Sequence, residues 1–341
     1  MSSEASTPSF LRPQRGATRR RSFKLTQEQI VLLVTLALLA VFSLTLPGFA
    51  TTANLLNLLR SVSILGILGL GLGVIVISRG IDLSEVAIMS GPWIVSLAEI
   101  QAGVPVFWAL ALGLALALAI GFVNGVLVAF VEAPALFVTL ATAYVVFGLA
   151  LWYVGVLIAY APQGPSDMMV LGQGKLLGVP MPIVVFAAAA IVVHLFLSQT
   201  SIGRFIYAQG DNTEAARLSG VAIRPLIILE YLIVAALAWL AGWVWVGSNG
   251  SMSMVVTQQG TLIYDVILVV VLGGISLVGG RGSVLSVIAG CALIGTLLNG
   301  FTIMDVNSEV QNIIRGVVLL GAIVLDNRLH PRDEETARQG D

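Results

Sequence analysis

The sequence predicts an all-α polytopic membrane protein with about ten transmembrane helices, and three observations lead to this fold class. Hydrophobic residues make up 57% of the 341 residues, while charged residues make up only 10%. A soluble domain carries about 25% charged residues. Long stretches of the chain contain no charged residue, and a helix that crosses a bilayer needs about 20 apolar residues. Basic residues recur between alternate stretches, which is typical of cytoplasmic loops.

Glycine, proline and polar clusters divide the charge-free stretches into candidate spans. The candidates are 30–46, 57–78, 84–100, 105–129, 135–155, 180–198, 226–247, 265–279, 284–302 and 309–326. The third and eighth candidates are short, so we expect each to be tilted, broken or partly re-entrant. A polar tail precedes the first candidate, which is therefore predicted to be a retained helix and not a cleaved secretory signal.

The placement of lysine and arginine predicts that both termini are cytoplasmic. Six basic residues precede the first span: Arg12, Arg15, Arg19, Arg20, Arg21 and Lys24. Ten alternating spans place eight arginines on the same side: Arg79, Arg204, Arg217, Arg224, Arg281, Arg328, Arg332 and Arg338. The opposite loops carry only Lys175. The chain therefore divides into a basic tail (1–29), a transmembrane domain (30–328) and a C-terminal tail (329–341).

One polar segment, which we call the polar island (residues 203–220), interrupts the apolar sequence. Asp211 or Asn212 can cap a helix, because either side chain accepts hydrogen bonds from the free N–H groups of a first turn. Residues 213–219 are compatible with a helix, and Gly220 is placed to end it. The island therefore predicts a helix of about two turns between two cytoplasmic helix ends.

The predicted helix carries small and charged side chains. Asp211 and Glu214 have the spacing of a capping box, although Ser or Thr is the usual first member. Ala215 and Ala216 are expected to be exposed and to let a partner approach closely, while Glu214 and Arg217 fix its register. A capped loop helix without a partner is the alternative that these residues alone leave open.

The island also resembles a known family. Glu214-Ala215-Ala216, followed after three further residues by Gly220, resembles the Glu-Ala-Ala…Gly loop of ATP-binding-cassette importer permeases. Residues 203–208 together with 214–220 are similar to the ribose-type branch of those permeases. The resemblance implies an ATPase-coupling loop at 203–224. Its coupling residues would be Asp211, Glu214, Ala215, Ala216, Arg217 and Gly220.

Three further segments support the resemblance, and they occur in the family's order. Residues 78–84 are similar to the branch's Ser-Gly-Gly-Ile-Asp-Leu-Ser turn, but Arg79 stands where the branch has glycine. Residues 272–283 are similar to its second glycine-rich turn. The third segment fits at Asn124, Gly125, Pro134, Phe137, Thr139 and Leu140. The resemblance covers about residues 50–328 of the chain.

The resemblance implies one subunit of a larger transport machine. It implies a second permease subunit, identical or closely paralogous, a cytoplasmic ATPase on each coupling loop, and an extracytoplasmic solute-binding protein. The chain has no phosphate loop, because the nearest fragment, Gly172-Gln173-Gly174-Lys175, lacks the spacing. We therefore expect a transport subunit in a bacterial cytoplasmic membrane, with ATP hydrolysis on a separate chain.

No catalytic, cofactor or metal site is predicted. The sequence shows no His/Cys cluster and no nucleophile–base pair, and its single cysteine, Cys291, lies in an apolar run that suits a core residue. The expected surroundings are the lipid bilayer and the protein partners above, and no nucleic acid.

Polar or aromatic residues near the spans are candidates for a translocation pathway, because polar groups are costly to bury in lipid. The candidates are Asp82, Ser84, Asn124, Trp243, Asp265 and Asn299. Several have a structural alternative. An ion pair with Arg79 is the alternative for Asp82, and a cap on the eighth span is the alternative for Asp265. Helix packing is the alternative for Asn124 and Asn299.

The seventh span raises two further expectations. Trp239, Trp243 and Trp245 crowd its outer part, where they would either anchor the helix at the membrane interface or line an outward cavity. Aromatic faces of such a cavity would suit sugar rings. Glu230 is expected to form a structural pair with Arg224.

The predicted function is ATP-driven, binding-protein-dependent import of a monosaccharide, a sugar alcohol or a similar small polar solute. A furanone-like signalling molecule is a second substrate class. A secondary carrier that works without an ATPase is the alternative mechanism, and a purely structural scaffold would leave the docking loop unexplained. Most charges lie at predicted span ends, with Arg315 as the main exception. Ion-driven carriers commonly place ionisable groups at mid-membrane, so this pattern favours the ATP-driven importer.

Overall fold

The computed structural model describes residues 26–162 and 167–329, which form a helical bundle with four short strands. The helices are α1 Gln27–Thr45, α2 Thr52–Ile77, α3 Glu85–Gln101, α4 Val106–Ala129, α5 Ala135–Val154, α6 Val170–Gln173, α7 Met181–Gln199, α8 Ser201–Asp211, α9 Thr213–Leu218, α10 Ile223–Asn249, α11 Val255–Gln259, α12 Thr261–Gly273, α13 Val284–Ile303 and α14 Ser308–Leu329. The strands are β1 Ile158–Tyr160, β2 Lys175–Leu176, β3 Val179–Pro180 and β4 Ser251–Ser253. Most of the two predicted tails, up to residue 25 and from residue 330, lies outside the described residues.

A helix lies at each of the ten predicted span positions, and the all-α membrane fold class is confirmed. Within the described ranges, seven helices are long and apolar enough to cross a membrane: α1, α2, α4, α5, α7, α10 and α13. By length and composition the count is therefore below the predicted ten, and α3, α12 and α14 lie at the other three predicted positions. The third and eighth candidates are short helices, with 17 residues in α3 and 13 in α12. The first half of α14 is polar at Glu309, Gln311, Asn312 and Arg315.

Several helices begin at side-chain caps that the sequence supplies. Thr26 and Gln29 form a capping box at the start of α1, and Ser283 and Ser286 form one at the start of α13. Thr51 caps α2, where its side chain accepts a hydrogen bond from the backbone of the first turn. These side chains satisfy N–H groups that have no partner inside the helix, and so they fix where each helix begins.

The central helix of the bundle is α2. Every residue from 62 to 77 is buried, and the helix packs against α7, α10, α12 and α13. The longest helix, α10, packs against α2, α3 and α4. Glycine allows α4 to approach α10 closely, because a Cβ at Gly125 would lie 2.8 Å from the Cα of Ile228. Such small residues are typical of helix contacts in membranes.

The peripheral helices expose apolar side chains. Leu44 of α1, Trp152 of α5 and Val192 of α7 are among the large hydrophobic residues on the surface. A surface with many large apolar side chains is unfavourable in water but suits contact with hydrocarbon. The outer ring of the bundle is therefore consistent with a lipid environment.

Two small antiparallel sheets lie at the end of the bundle where α10 finishes. Strands β1 and β4 pair with Ala159 opposite Met252, and β2 and β3 form a hairpin. Helix α6 is fixed beside them, because a Cβ at Gly172 would lie 1.9 Å from the carbonyl carbon of Gly247. Since α10 begins next to the polar island, the island and these sheets lie at opposite ends of the bundle.

Cys291 lies in α13 and is completely buried as a free thiol. It belongs to the main hydrophobic core. The structural role predicted from its apolar surroundings is confirmed.

Candidate functional site

The polar island folds as two consecutive helices, α8 and α9. Thr200 caps α8, and its hydroxyl oxygen accepts a 3.0 Å hydrogen bond from the backbone N–H of Gly203. Gly203 allows the sharp turn from α7, because a Cβ there would lie 2.4 Å from the carbonyl oxygen of Leu197. The chain therefore turns sharply after α7, and α8 packs at the end of the bundle against α2, α7 and α10.

Asn212 separates the two helices and caps the second one. Its side-chain oxygen accepts a 2.9 Å hydrogen bond from the backbone N–H of Ala215. Of the two predicted caps, Asn212 is thus correct, and the capping box expected between Asp211 and Glu214 does not form. The predicted stop at Gly220 is confirmed in geometry: its φ of +87° is left-handed, a conformation that glycine adopts without strain.

The outward side of α9 carries charged and apolar groups. Glu214 and Arg217 form an ion pair at 3.4 Å, with their side chains 59% and 56% exposed. Ala215 is exposed as predicted, but Ala216 is buried, because α9 turns that face toward the bundle. Leu218 is 88% exposed and was missed by the sequence analysis. An exposed ion pair contributes little stability, so both charges are free to meet a partner.

A glycine-lined seat holds the junction between α8 and α9. A Cβ at Gly210 would lie 1.8 Å from the carbonyl oxygen of Ile77, at the end of α2. The same oxygen accepts a 2.8 Å hydrogen bond from the backbone N–H of Gly280, and a Cβ at Gly280 would lie 3.0 Å from the Cα of Asp211. Three backbones therefore meet with no room for side chains.

Arg79 reaches this junction from the turn after α2. Its Nε donates a 2.6 Å hydrogen bond to the carbonyl oxygen of Gly210, and its Nη2 donates a 2.5 Å hydrogen bond to that of Asp211. The ion pair weighed between Arg79 and Asp82 is absent, because the hydrogen bonds to Asp82 come from Ser84. The sequence had no signal for the contact to the island.

The start of α1 lies beside the same seat. Glu28 accepts hydrogen bonds from the hydroxyl groups of Ser283, at 2.7 Å, and Ser286, at 2.5 Å. The hydroxyl of Tyr207 in α8 donates a 2.8 Å hydrogen bond to the carbonyl oxygen of Gly282. Burial, together with the negative charge of Glu28, raises the pKa of Tyr207. The first helix and α8 are thus attached to the turn before α13.

A chain of buried polar side chains begins in the turn between α2 and α3. Ser84 donates to Asp82 through both its backbone N–H, at 2.7 Å, and its hydroxyl, at 2.5 Å. Asn124 of α4 donates to the Ser84 hydroxyl at 2.8 Å and accepts a 2.7 Å hydrogen bond from Thr142 of α5. Burial raises the pKa of Asp82 to about 6 despite the hydrogen bonds from Ser84. Three of the predicted pathway residues are therefore brought together.

Two further carboxyl groups are buried near this chain. The sequence analysis missed Glu85 and assigned Glu230 to a structural pair with Arg224. Glu85 is completely buried, and Glu230 of α10 is nearly so. The Ser78 hydroxyl lies 2.7 Å from Glu230. The predicted pair of Glu230 with Arg224 is wrong, because Arg224 binds Glu132 at 3.1 Å on the surface. Several charged residues thus lie inside the bundle and not only at helix ends.

The other two polar candidates have partners that join helices. Asp265 of α12 and Arg315 of α14 form an ion pair at 2.9 Å, although the N–H direction does not give a hydrogen bond. Asn299 of α13 and Asn54 of α2 exchange two amide hydrogen bonds, at 2.9 and 3.0 Å. The packing alternative for Asn299 agrees with this geometry.

The tryptophans of α10 face the protein interior. The ring of Trp239 stacks on Trp93 of α3, with centroids 5.6 Å apart, and Trp243 meets Trp239 edge-on at 5.2 Å. Trp243 also donates a 3.0 Å hydrogen bond to the carbonyl oxygen of Met168. Anchoring at the membrane interface is therefore wrong for Trp239, which is buried, because this face of α10 packs on α3.

Helices of membrane length packed as a bundle define a polytopic membrane protein, and a short exposed helix, α9, lies at one end of the bundle. Comparison with known proteins agrees with that class. A family model described as branched-chain amino acid transport system / permease component matches residues 54–323. The chain belongs to this family. No solved structure gives a significant match.

Curated relatives narrow the family further. The chain is 34% identical to the ribose import permease protein RbsC of Escherichia coli (strain K12), with 88% of this chain and 94% of the relative covered. It is 30% identical to the fructose import permease protein FrcC of Rhizobium meliloti, with 87% and 84% covered. It is 31% identical to the L-arabinose transport system permease protein AraH of Escherichia coli (strain K12), with 89% and 92% covered.

These matches establish the class of this chain. It is a multi-pass membrane permease subunit of a binding-protein-dependent ATP-binding-cassette importer, and the relatives favour this reading over a secondary carrier. It is a transport component and not an enzyme, and the ATPase of such an importer is a separate chain.

Proposed function

We propose that this chain forms part of the membrane pathway for a monosaccharide, a sugar alcohol or a similar small polar solute. The names of three curated relatives specify ribose, fructose and L-arabinose. The family description mentions branched-chain amino acids, but the relatives match over most of both chains and share small carbohydrates as their solutes. A small carbohydrate is therefore the solute class that we propose for this chain.

We further propose that a cytoplasmic ATPase docks on the coupling loop, residues 203–224. The observation that carries this proposal is the exposed side of α9, where Glu214, Arg217 and Leu218 project from a helix whose junction with α8 is seated on the end of α2. A helix exposed on one side and fixed on the other can transmit a push into the bundle. A loop helix with no partner would not need such a seat.

The remaining partners follow from the same assignment. A second permease subunit, identical or closely paralogous, completes the pathway, and a solute-binding protein delivers solute at the opposite end. The excess of arginine near the polar island supports a cytoplasmic location for the island and for both termini. We place the chain in a bacterial cytoplasmic membrane, with the permease domain at 30–328 between two cytoplasmic tails.

The six pathway candidates remain predictions. Asp82, Ser84 and Asn124 are bonded to one another, and the other three have the partners described above. Solute contact would therefore require these bonds to rearrange as the pathway opens. Because these side chains bond to one another or to neighbouring helices, they are suited to hold the helices in the conformation described here.

Affinity purification from the native membrane, with mass spectrometry of the co-purifying chains, tests the docking proposal. We expect a phosphate-loop ATPase with the wild-type chain and none with Glu214→Lys. The matched control is Glu309→Lys, which makes the same charge reversal at an exposed glutamate at the start of α14 and is expected to retain the ATPase. Retention of the ATPase by Glu214→Lys, with normal uptake, would exclude the docking role.

Uptake measurements test the substrate class. Vesicles that contain the complete complex are expected to accumulate at least one of radiolabelled ribose, fructose, L-arabinose or xylitol, with ATP inside. Accumulation of leucine and of none of these carbohydrates would move the substrate to the amino-acid class of the family description.

A further inference from the structure

We propose that Arg79 is a positioning residue that attaches the coupling loop to the turn between α2 and α3. Through this attachment, movement of α9 is transmitted to the chain of buried polar side chains. This inference rests on the proposed docking role of α9. It concerns the one position in residues 78–84 that departs from the resembling glycine-rich turn.

The contact has the chemistry of a helix C-terminal cap. The last carbonyl groups of a helix have no partner within it and carry partial negative charge. The carbonyl groups of Gly210 and Asp211 are the last two of α8, and the Arg79 guanidinium donates to both. Charge-assisted hydrogen bonds are stronger than neutral ones, so one side chain ties α2 to the junction from which α9 begins.

The backbone of Arg79 is strained, and the contact compensates for the strain. Its φ of +70° lies in the left-handed region, which disfavours side chains other than those of glycine, asparagine and aspartate. Such strain persists where surrounding structure fixes the residue, and it is enriched at functional sites. A glycine would adopt the same turn freely but would leave both carbonyl groups without the guanidinium.

The same turn holds the interior of the bundle. Ser78, the preceding residue, contacts Glu230 of α10 at 2.7 Å. Five residues after Arg79, Ser84 joins Asp82 and begins the chain of hydrogen bonds through Asn124 to α5. A displacement of α9 therefore reaches α4, α5 and α10 through a segment of seven residues, 78–84.

The glycine seat positions α8 only through close steric contact, whereas Arg79 holds α8 through attractive hydrogen bonds. Gly279 leaves room for the arginine stem, because a Cβ at Gly279 would lie 2.3 Å from the Arg79 Cγ. The seat prevents α8 from moving inward. The guanidinium is positioned to pull the turn when α8 moves outward.

The test is hydrogen exchange in the assembled permease–ATPase complex, before and after trapping with ATP and vanadate. In the wild-type complex, trapping is expected to change exchange both in 213–218 and in 78–84. In Arg79→Gly, we expect the change in 213–218 to remain and the change in 78–84 to fall about ten-fold, the factor that a lost charge-assisted hydrogen bond corresponds to. Arg79→Lys is expected to restore part of it, since an ammonium donates without the fork geometry.

The matched control is Leu177→Gly. Leu177 also has a positive φ, +51°, and its exposed side chain lies in the turn between β2 and β3, at the end of the bundle opposite the island. We expect wild-type transmission in this variant, which shows that placing glycine at a left-handed position is not itself the cause.

Two outcomes would overturn the role of Arg79. The first is wild-type transmission to 78–84 in Arg79→Gly. The second is loss of the ATPase from that variant. Trapping would then change hydrogen exchange in neither 213–218 nor 78–84, and the role of Arg79 would be merely structural. Glu214→Lys, measured in parallel, separates this inference from the docking proposal. If Glu214→Lys loses the ATPase while Arg79→Gly transmits normally, only the inference fails.

Discussion

The side-chain amide of Asn124 donates a 2.8 Å hydrogen bond to the hydroxyl of Ser84, and neither residue has any exposed surface. The bond joins the last third of α4 to the residue that precedes α3. Because both partners are sealed from water, neither group has an alternative partner in solvent, and the contact fixes how α3 and α4 sit together.

Replacement of Asn124 by alanine is expected to destabilise the bundle. The hydroxyl groups of Ser84 and Thr142 would each lose a buried partner, and an unsatisfied buried group costs about 1–3 kcal/mol. The measurement is the midpoint of thermal unfolding in detergent, monitored by size-exclusion chromatography, and we expect it to be lower in the variant. Asn249→Ala, at an exposed asparagine of α10, is the control and should unfold as the wild type does. Equal midpoints for the two variants would contradict the buried network.

The ion pair of Asp265 and Arg315 leads to a second prediction, which concerns whether the stability losses of two single variants add up in the double variant. Its side chains are only 9% and 16% exposed, and removal of one partner of such a pair typically costs about 3–5 kcal/mol because a charge remains uncompensated. Asp265→Asn and Arg315→Gln should each lower stability, while the double variant should be more stable than either single one. A double-variant loss equal to the sum of both would show that the charges do not interact.

The glycine seat makes Gly210 sensitive to a single methyl group. Gly210→Ala places its Cβ 1.8 Å from the carbonyl oxygen of Ile77, so α8 must shift away from α2. We expect solute-stimulated ATP hydrolysis to be lost while the chain still inserts and folds. Gly148→Ala in α5 meets nothing within 4 Å and is the control, since alanine favours a helix more than glycine does. Wild-type ATP hydrolysis in Gly210→Ala would argue against the seat.

The loss of uptake caused by a substitution at Gly220 should depend on how readily the new residue adopts a positive φ, and not on the size of its side chain. A Cβ at this position meets nothing within 4 Å, so space is available, but the φ of +87° disfavours β-branched residues most. Gly220→Asn should therefore retain most uptake, and Gly220→Val should lose most of it. The same order is expected for recovery of the ATPase by co-purification. If both variants behave alike, the left-handed conformation is not what the site requires.

Local features of the sequence predicted much of the fold. Hydrophobic stretches and their breaks placed a helix at every predicted span, and the glycine at 220 marked the end of α9 correctly. The number of helices of full membrane length was overestimated, because the sequence does not show that the short helix α3 is enclosed by other helices. A buried helix does not need a full-length apolar surface of its own.

Contacts between distant parts of the chain could not be predicted. Arg79 and Gly210 are 131 residues apart, and nothing near either residue indicates that they meet. The pairing of Glu230 was assigned to Arg224 because the two are close in sequence, whereas the fold directs Glu230 inward and Arg224 outward. For the candidate site, residue types were therefore predicted better than residue partners.

The complete burial of Cys291 has a practical consequence. Thiol reagents attack the thiolate in contact with water, and the only cysteine of this chain has no exposed surface. A cysteine introduced at Leu218 would thus be the single reactive position in the folded protein, against a native background that takes up no label. Fluorescent or spin probes can follow α9 during turnover without first removing Cys291.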